Sequence, residues 1–139
     1  MSFREKSAWV SLVTYALVFG SYFLTIWRVW DEHWDRGQSL GLMIGAIVAL
    51  VILAVIFNTA LALFFPREAN ARADEREVLI ELKSERIASY TLTALLVCLI
   101  GTLMVGWNPF LVANLMMGAM VIAEVIKDIA QIAYYRVGV

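Results

Sequence analysis

Four apolar stretches, Ala8 to Trp27, Leu40 to Phe65, Ile87 to Trp107 and Phe110 to about Ile126, take up most of this 139-residue chain. A helix rises about 1.5 Å per residue and the hydrocarbon layer of a bilayer is about 30 Å thick, so each stretch is about long enough to cross a membrane. Nearly everything between them is a short connection. With 62% hydrophobic residues and a mean hydropathy of +0.78, the chain lies far above the roughly 45–50% apolar content of a soluble domain.

The expected fold is therefore all-α, a polytopic membrane protein whose residues 1–139 form a single four-helix transmembrane domain. Spans are expected at about 8–30, 40–65, 87–107 and 109–133, with a cytoplasmic helical extension at about 74–88. Arg4 and Lys6 precede the first span and no small-residue cleavage site follows it, which reads as an anchor kept in the mature protein. Cys98, the one cysteine, excludes an internal disulfide and is expected as a free, buried thiol.

Net charge is only −1, but basic residues are unevenly placed. Arg67, Arg72, Arg76, Lys83 and Arg86 crowd the central loop, Arg4 and Lys6 the head, and Lys127 and Arg136 the tail, leaving Arg28 and Arg36 for the other side. The positive-inside rule then puts both termini and the central loop in the cytoplasm. Trp27, Trp30, Trp34 and Trp107 would form the outer aromatic belt, and Trp9, Phe64, Phe65, Tyr90, Tyr134 and Tyr135 the inner one.

Two of the spans resemble each other. Leu42-Met43-x-Gly45-Ala46-x-Val48 recurs as Leu115-Met116-x-Gly118-Ala119-x-Val121, with Asn58 falling on Gln131. The first and third spans pair Trp9 with Tyr90, Gly20 with Gly101 and Ser21 with Thr102. Such a pattern suggests two hairpins in parallel repeat, related by an axis along the membrane normal. Gly41 and Gly45, with Gly118 and Gly101, are candidate helix-packing positions, which would place the second and fourth spans at the centre. Asn114 would need a hydrogen bond there.

After Phe64-Phe65-Pro66 the helix should stop, and Asp74 with Glu77 looks like an N-cap and its acidic partner opening the next helix. Along this helix Val78, Leu79 and Leu82 form an apolar arc between an acidic edge (Asp74, Glu77, Glu81, Glu85) and a basic one (Arg72, Arg76, Lys83). Either the arc rests on its own bundle or it faces a partner. Acids match bases in number, so nothing resembles a nucleic-acid site.

The fourth span ends in Glu124, Lys127, Asp128 and Gln131, and ionisable residues in a membrane helix are a functional-site hypothesis by default. Counting back from the tight turn at Asn108-Pro109 puts Lys127 and Asp128 level with Ser89 and Ala88, near the cytoplasmic interface. Asp128 with Arg86 is then a candidate ion pair. Glu124, about one turn deeper, is either a structural partner of Lys127 at the three-residue spacing or, with Asn58, Asn114 and Gln131, part of a proton or cation path.

The outer turn holds the only histidine. Anchoring by its tryptophans is the simple account, while His33 with Asp31 and Asp35 is a weak metal candidate because a second nitrogen or sulfur ligand is missing. No cofactor is expected, no nucleophile has a nearby base, and no glycine loop cradles phosphate, so an enzyme is not expected.

The head Phe3-Arg4-Glu5-Lys6-Ser7-Ala8-Trp9, the loop Asp74-Glu75-Arg76 with Arg86-Ile87-Ala88-Ser89-Tyr90, and the tail Tyr134-Tyr135-Arg136 together resemble a group of small four-span bacterial membrane proteins. The resemblance implies a bacterial inner membrane and the four-helix topology, and carries no activity with it. The expected function is non-enzymatic, acting through helix contacts as a homo-oligomer or an accessory subunit, with membrane lipid and another copy or another membrane protein as partners. The alternatives are a small proton- or cation-coupled transporter or channel using Glu124, and a binder of lipid or apolar ligands.

Overall fold

The computed structural model describes residues 3–29, 36–66 and 74–137. They form four long helices, α1 (Phe3–Val29), α2 (Arg36–Phe64), α3 (Glu75–Met104) and α4 (Pro109–Val137), and among the described residues there is no strand. Each helix is long and apolar enough to cross a membrane, which makes this a multi-pass membrane protein. The chain clusters into two compact units, Met1–Ala71 and Arg72–Val139, a finer division than the single four-helix domain expected from hydropathy.

In the first unit α1 begins at Phe3, ahead of the apolar stretch, because nothing in the charged head breaks a helix. Its buried residues include Ala8, Thr14, Val18, Phe19 and Tyr22. Tyr15, Phe19, Tyr22 and Phe23 form a ladder of rings along it, with centroids 5.1 to 6.4 Å apart. Two contacts tie α1 to the far end of α2. The Ser7 hydroxyl donates to Asn58 Oδ1 at 2.9 Å, and the Lys6 ammonium lies 3.7 Å from the centre of the Phe65 ring, a cation–π contact.

α2 is the most apolar of the four helices, yet from Leu40 onward none of its residues is buried. A Cβ added at Gly41 or Gly45 would meet nothing within 4 Å, so neither glycine is closely packed against the other helix of its unit. The same is true of Gly101 on α3. Small residues permit a close neighbour but do not supply one.

The second unit turns on Gly106. With φ at +89° it takes the left-handed conformation that closes helices, while Gly106 N–H donates to Leu103 O and Trp107 N–H to Thr102 O, both at 3.1 Å. This is the Schellman arrangement, in which two otherwise orphaned carbonyls of α3 are satisfied. Asn108 Oδ1 then accepts from Phe110 N–H at 2.9 Å, and Pro109 fills the first position of α4, where its missing N–H costs nothing.

From this turn α3 and α4 run back against each other over most of their length. Far from the turn, the Lys83 ammonium lies 5.9 Å over the ring of Tyr134, which keeps the one-to-one register set at Asn108-Pro109. That register places Glu124 near the level of Thr93 and Lys127 near Tyr90. α3 buries Ile80, Ser84 and Ala88, one side of the helix at four-residue steps. α4 is buried on two opposite sides, one with Val112, Ala119 and Ala123 and the other with Asn114, Met117, Asp128 and Ile132. Tyr134 belongs to the first side, which is therefore the one turned to α3.

Candidate functional site

Three places in the structure carry the residues singled out by sequence. The first is α4, where Asn114, Glu124, Asp128 and Gln131 fall on one side of the helix, within roughly a third of its circumference at about 100° per residue. Glu124 and Lys127 form an ion pair, both partly exposed. Asp128 is 3% exposed and Asn114 6%, and the Asn114 amide donates to Phe110 O at 2.9 Å. That bond lies within its own helix and meets part of the demand of a buried amide.

Arg86 lies exposed on the outward side of α3 while Asp128 is buried on α4, so the ion pair expected between them is not the arrangement seen. Asn58 lies in the first unit. Besides accepting from Ser7, its amide donates to Ala54 O at 2.8 Å, which makes it a clasp between α1 and α2.

The second place is a groove of about 890 Å³ between α1 and α2, lined among others by Leu17, Tyr22, Gly41, Gly45, Ala49 and Leu53. Ser21 and Thr25 also border it, but their hydroxyls donate to Val18 O and Ser21 O, each at 2.8 Å. Their polarity is spent on α1 itself. The groove is chemically suited to an apolar chain and offers little to a polar ligand.

The third place is the length of α3 beyond the apolar stretch. Asp74 stands at its N-cap with extended backbone, although its side chain makes no capping bond. Val78 N–H bonds Asp74 O at 3.1 Å, and Glu75 and Glu77 in the first turn complement the helix dipole. Val78, Leu79 and Leu82 are 42%, 56% and 57% exposed. The arc is exposed, and the buried side of the extension is Ile80, Ser84 and Ala88. Hydropathy missed that side because Ser84 and Ala88 are weak apolar signals, and Ser84 hides its hydroxyl on Ile80 O at 2.9 Å.

Cys98 is exposed rather than buried, and so faces the surroundings of α3. Trp27, Phe64 and Tyr90 project outward at 83%, 80% and 70% exposure, as belt residues do. His33, Asp31 and Asp35, with Trp30 and Trp34, lie outside the described residues. Among the described residues no three histidine, cysteine, aspartate or glutamate side chains come together as a metal site would require. No family model, no curated protein and no solved structure matches this chain.

Proposed function

We propose that this chain is a non-enzymatic multi-pass protein of a bacterial inner membrane that works through helix contacts, as a homo-oligomer or an accessory subunit of a larger complex. In this reading the two units are hairpins of a parallel repeat, with both termini cytoplasmic. One observation carries it: Leu79 and Leu82 stand more than half exposed on a stretch of α3 flanked by Glu77, Glu81, Lys83 and Glu85. Lipid cannot cover apolar side chains on a charged helix that has left the bilayer, and about 25 cal/mol per Å² is available to a partner that does.

Purification of the intact chain in native-like lipid discs, with its mass and co-purifying proteins determined, tests the reading. A fixed multiple of the chain or a stoichiometric second membrane protein supports it. A lone monomer in lipid overturns it.

A second reading, transport of a proton or cation, is favoured by the buried carboxylate of Asp128 beside the Glu124–Lys127 pair. Reconstituted vesicles separate the two. Glu124→Gln and Asp128→Asn should leave the helices intact, and only in a transporter would they abolish a proton-dependent flux. An apolar-ligand binder is the third reading, carried by the groove between α1 and α2.

A further inference from the structure

One side of α3 is exposed from Val78 to Ile100. Val78, Leu82, Ser89, Thr93, Val97 and Ile100 all lie on it, together with Arg86, and all are exposed. Counting Arg86, they recur at steps of four, four and three residues, which is an 11-residue period over three turns. At about 3.67 residues per turn this nearly matches the helix itself, so the residues hold one line from the charged extension into the span. The side packed on α4, with Ile80, Ser84 and Ala88, is opposite.

We infer that this face of α3 binds the same face of a second copy, with the two α3 helices parallel and crossing right-handedly. The inference rests on the helix-contact reading above and names its partner. Three features of the face select that occupant. It runs continuously from the span into the charged extension, so no lipid chain covers all of it. Ser89 and Thr93 form a small pair four residues apart where the helix leaves the extension, and Thr93 turns its hydroxyl onto Ser89 O at 2.8 Å. Two such helices can approach closely there, and the Thr93 hydroxyl brings no unmet bond into the contact.

Charge decides the orientation. The face is edged on one side by Asp74, Glu81 and Glu85 and on the other by Arg76 and Lys83, all exposed. In a parallel pair related by a twofold axis, opposite edges meet, so the acidic edge of each copy lies along the basic edge of the other. In an antiparallel pair like edges would meet and repel. Two copies inserted the same way in one bilayer have parallel α3 helices by necessity, with the axis along the membrane normal. Arg86, on the face itself, is then flanked by Glu81 and Glu85 of the second copy.

The test uses the full chain in native-like lipid, with single cysteines in a Cys98→Ser background. One cysteine per chain makes every disulfide intermolecular. Mild oxidation should link copies through Leu82→Cys, Ser89→Cys and Thr93→Cys, and should not link them through Ile87→Cys or through native Cys98, which are exposed but off the line. Glu81→Lys with Glu85→Lys should abolish the Leu82→Cys link, and adding Arg76→Glu and Lys83→Glu should restore it. Links of equal strength at Ile87 and Cys98 overturn the assigned face while leaving self-association standing. A monomer bound to a different membrane protein overturns the second copy as partner and spares the accessory reading, and a monomer alone removes both.

Discussion

Gly106 is the residue whose identity the backbone demands. At φ +89° a Cβ is strained whatever space surrounds it, and left-handed backbone costs an ordinary residue about 1–2 kcal/mol. Gly106→Ala should therefore lower the stability of the second unit by that amount, measured by unfolding in mixed detergent micelles. Gly101→Ala is the control, since it lies inside α3 with nothing within 4 Å of the added Cβ, and it should unfold no earlier than wild type. Ser7 and Asn58 make a different kind of local statement. Their bond joins two helices, and such bonds in membrane proteins contribute about 0.6 kcal/mol on average. Ser7→Ala should cost about that much, and in a double-mutant cycle with Asn58→Leu the two losses should not add, because each removes the same bond. Fully additive losses would mean that the clasp contributes nothing.

The extension of α3 shows how far a helix can be understood before its neighbours are known. Its start at Asp74, its acidic first turn and its unbroken run into the span all follow from residue chemistry, as does the stop at Gly106-Trp107-Asn108-Pro109. Which side packs does not. Val78, Leu79 and Leu82 are the more apolar arc, yet Ile80, Ser84 and Ala88 are the buried one. The reason is that close helix packing rewards small side chains, which hydropathy scores as indifferent. Gly41 and Gly45 are likewise silent to hydropathy, and they border the groove between α1 and α2. Position also separates the similar spans: Val55 is 60% exposed and its counterpart Asp128 is 3% exposed, so the two helices diverge where their surroundings differ. In a monomeric detergent state, Ile80→Ala should cost about 2–4 kcal/mol through lost burial and the cavity left behind. Leu82→Ala should stay within about 0.5 kcal/mol, since its side chain is more than half exposed. Equal losses from the two substitutions would mean that the outward arc is packed after all.

At the scale of the whole molecule, the number of spans was legible from length and hydropathy alone, because about twenty apolar residues in one run have few other uses. The side of the membrane on which the ends lie rests on charge. The head, the central stretch and the tail carry nine of the eleven basic residues, a bias that fixes orientation when it lies within about 15–20 residues of the spans. The structure adds a geometric condition: with a tight turn at Gly106 to Pro109 and register kept as far as Lys83 and Tyr134, Asp74 and Val137 lie at one end of the α3–α4 pair and Trp107 at the other. Single cysteines at these three positions in a Cys98→Ser chain, exposed to a membrane-impermeant maleimide, check both. In cells with a permeabilised outer envelope, Trp107→Cys should react at once, and Asp74→Cys and Val137→Cys only after the inner membrane is opened. The reverse order would invert the chain and move the apolar arc of α3 to the outer face. Reaction of all three before opening would mean that α3 and α4 do not cross the membrane as a pair, and the depth assigned to Glu124 and Asp128 would fall with it.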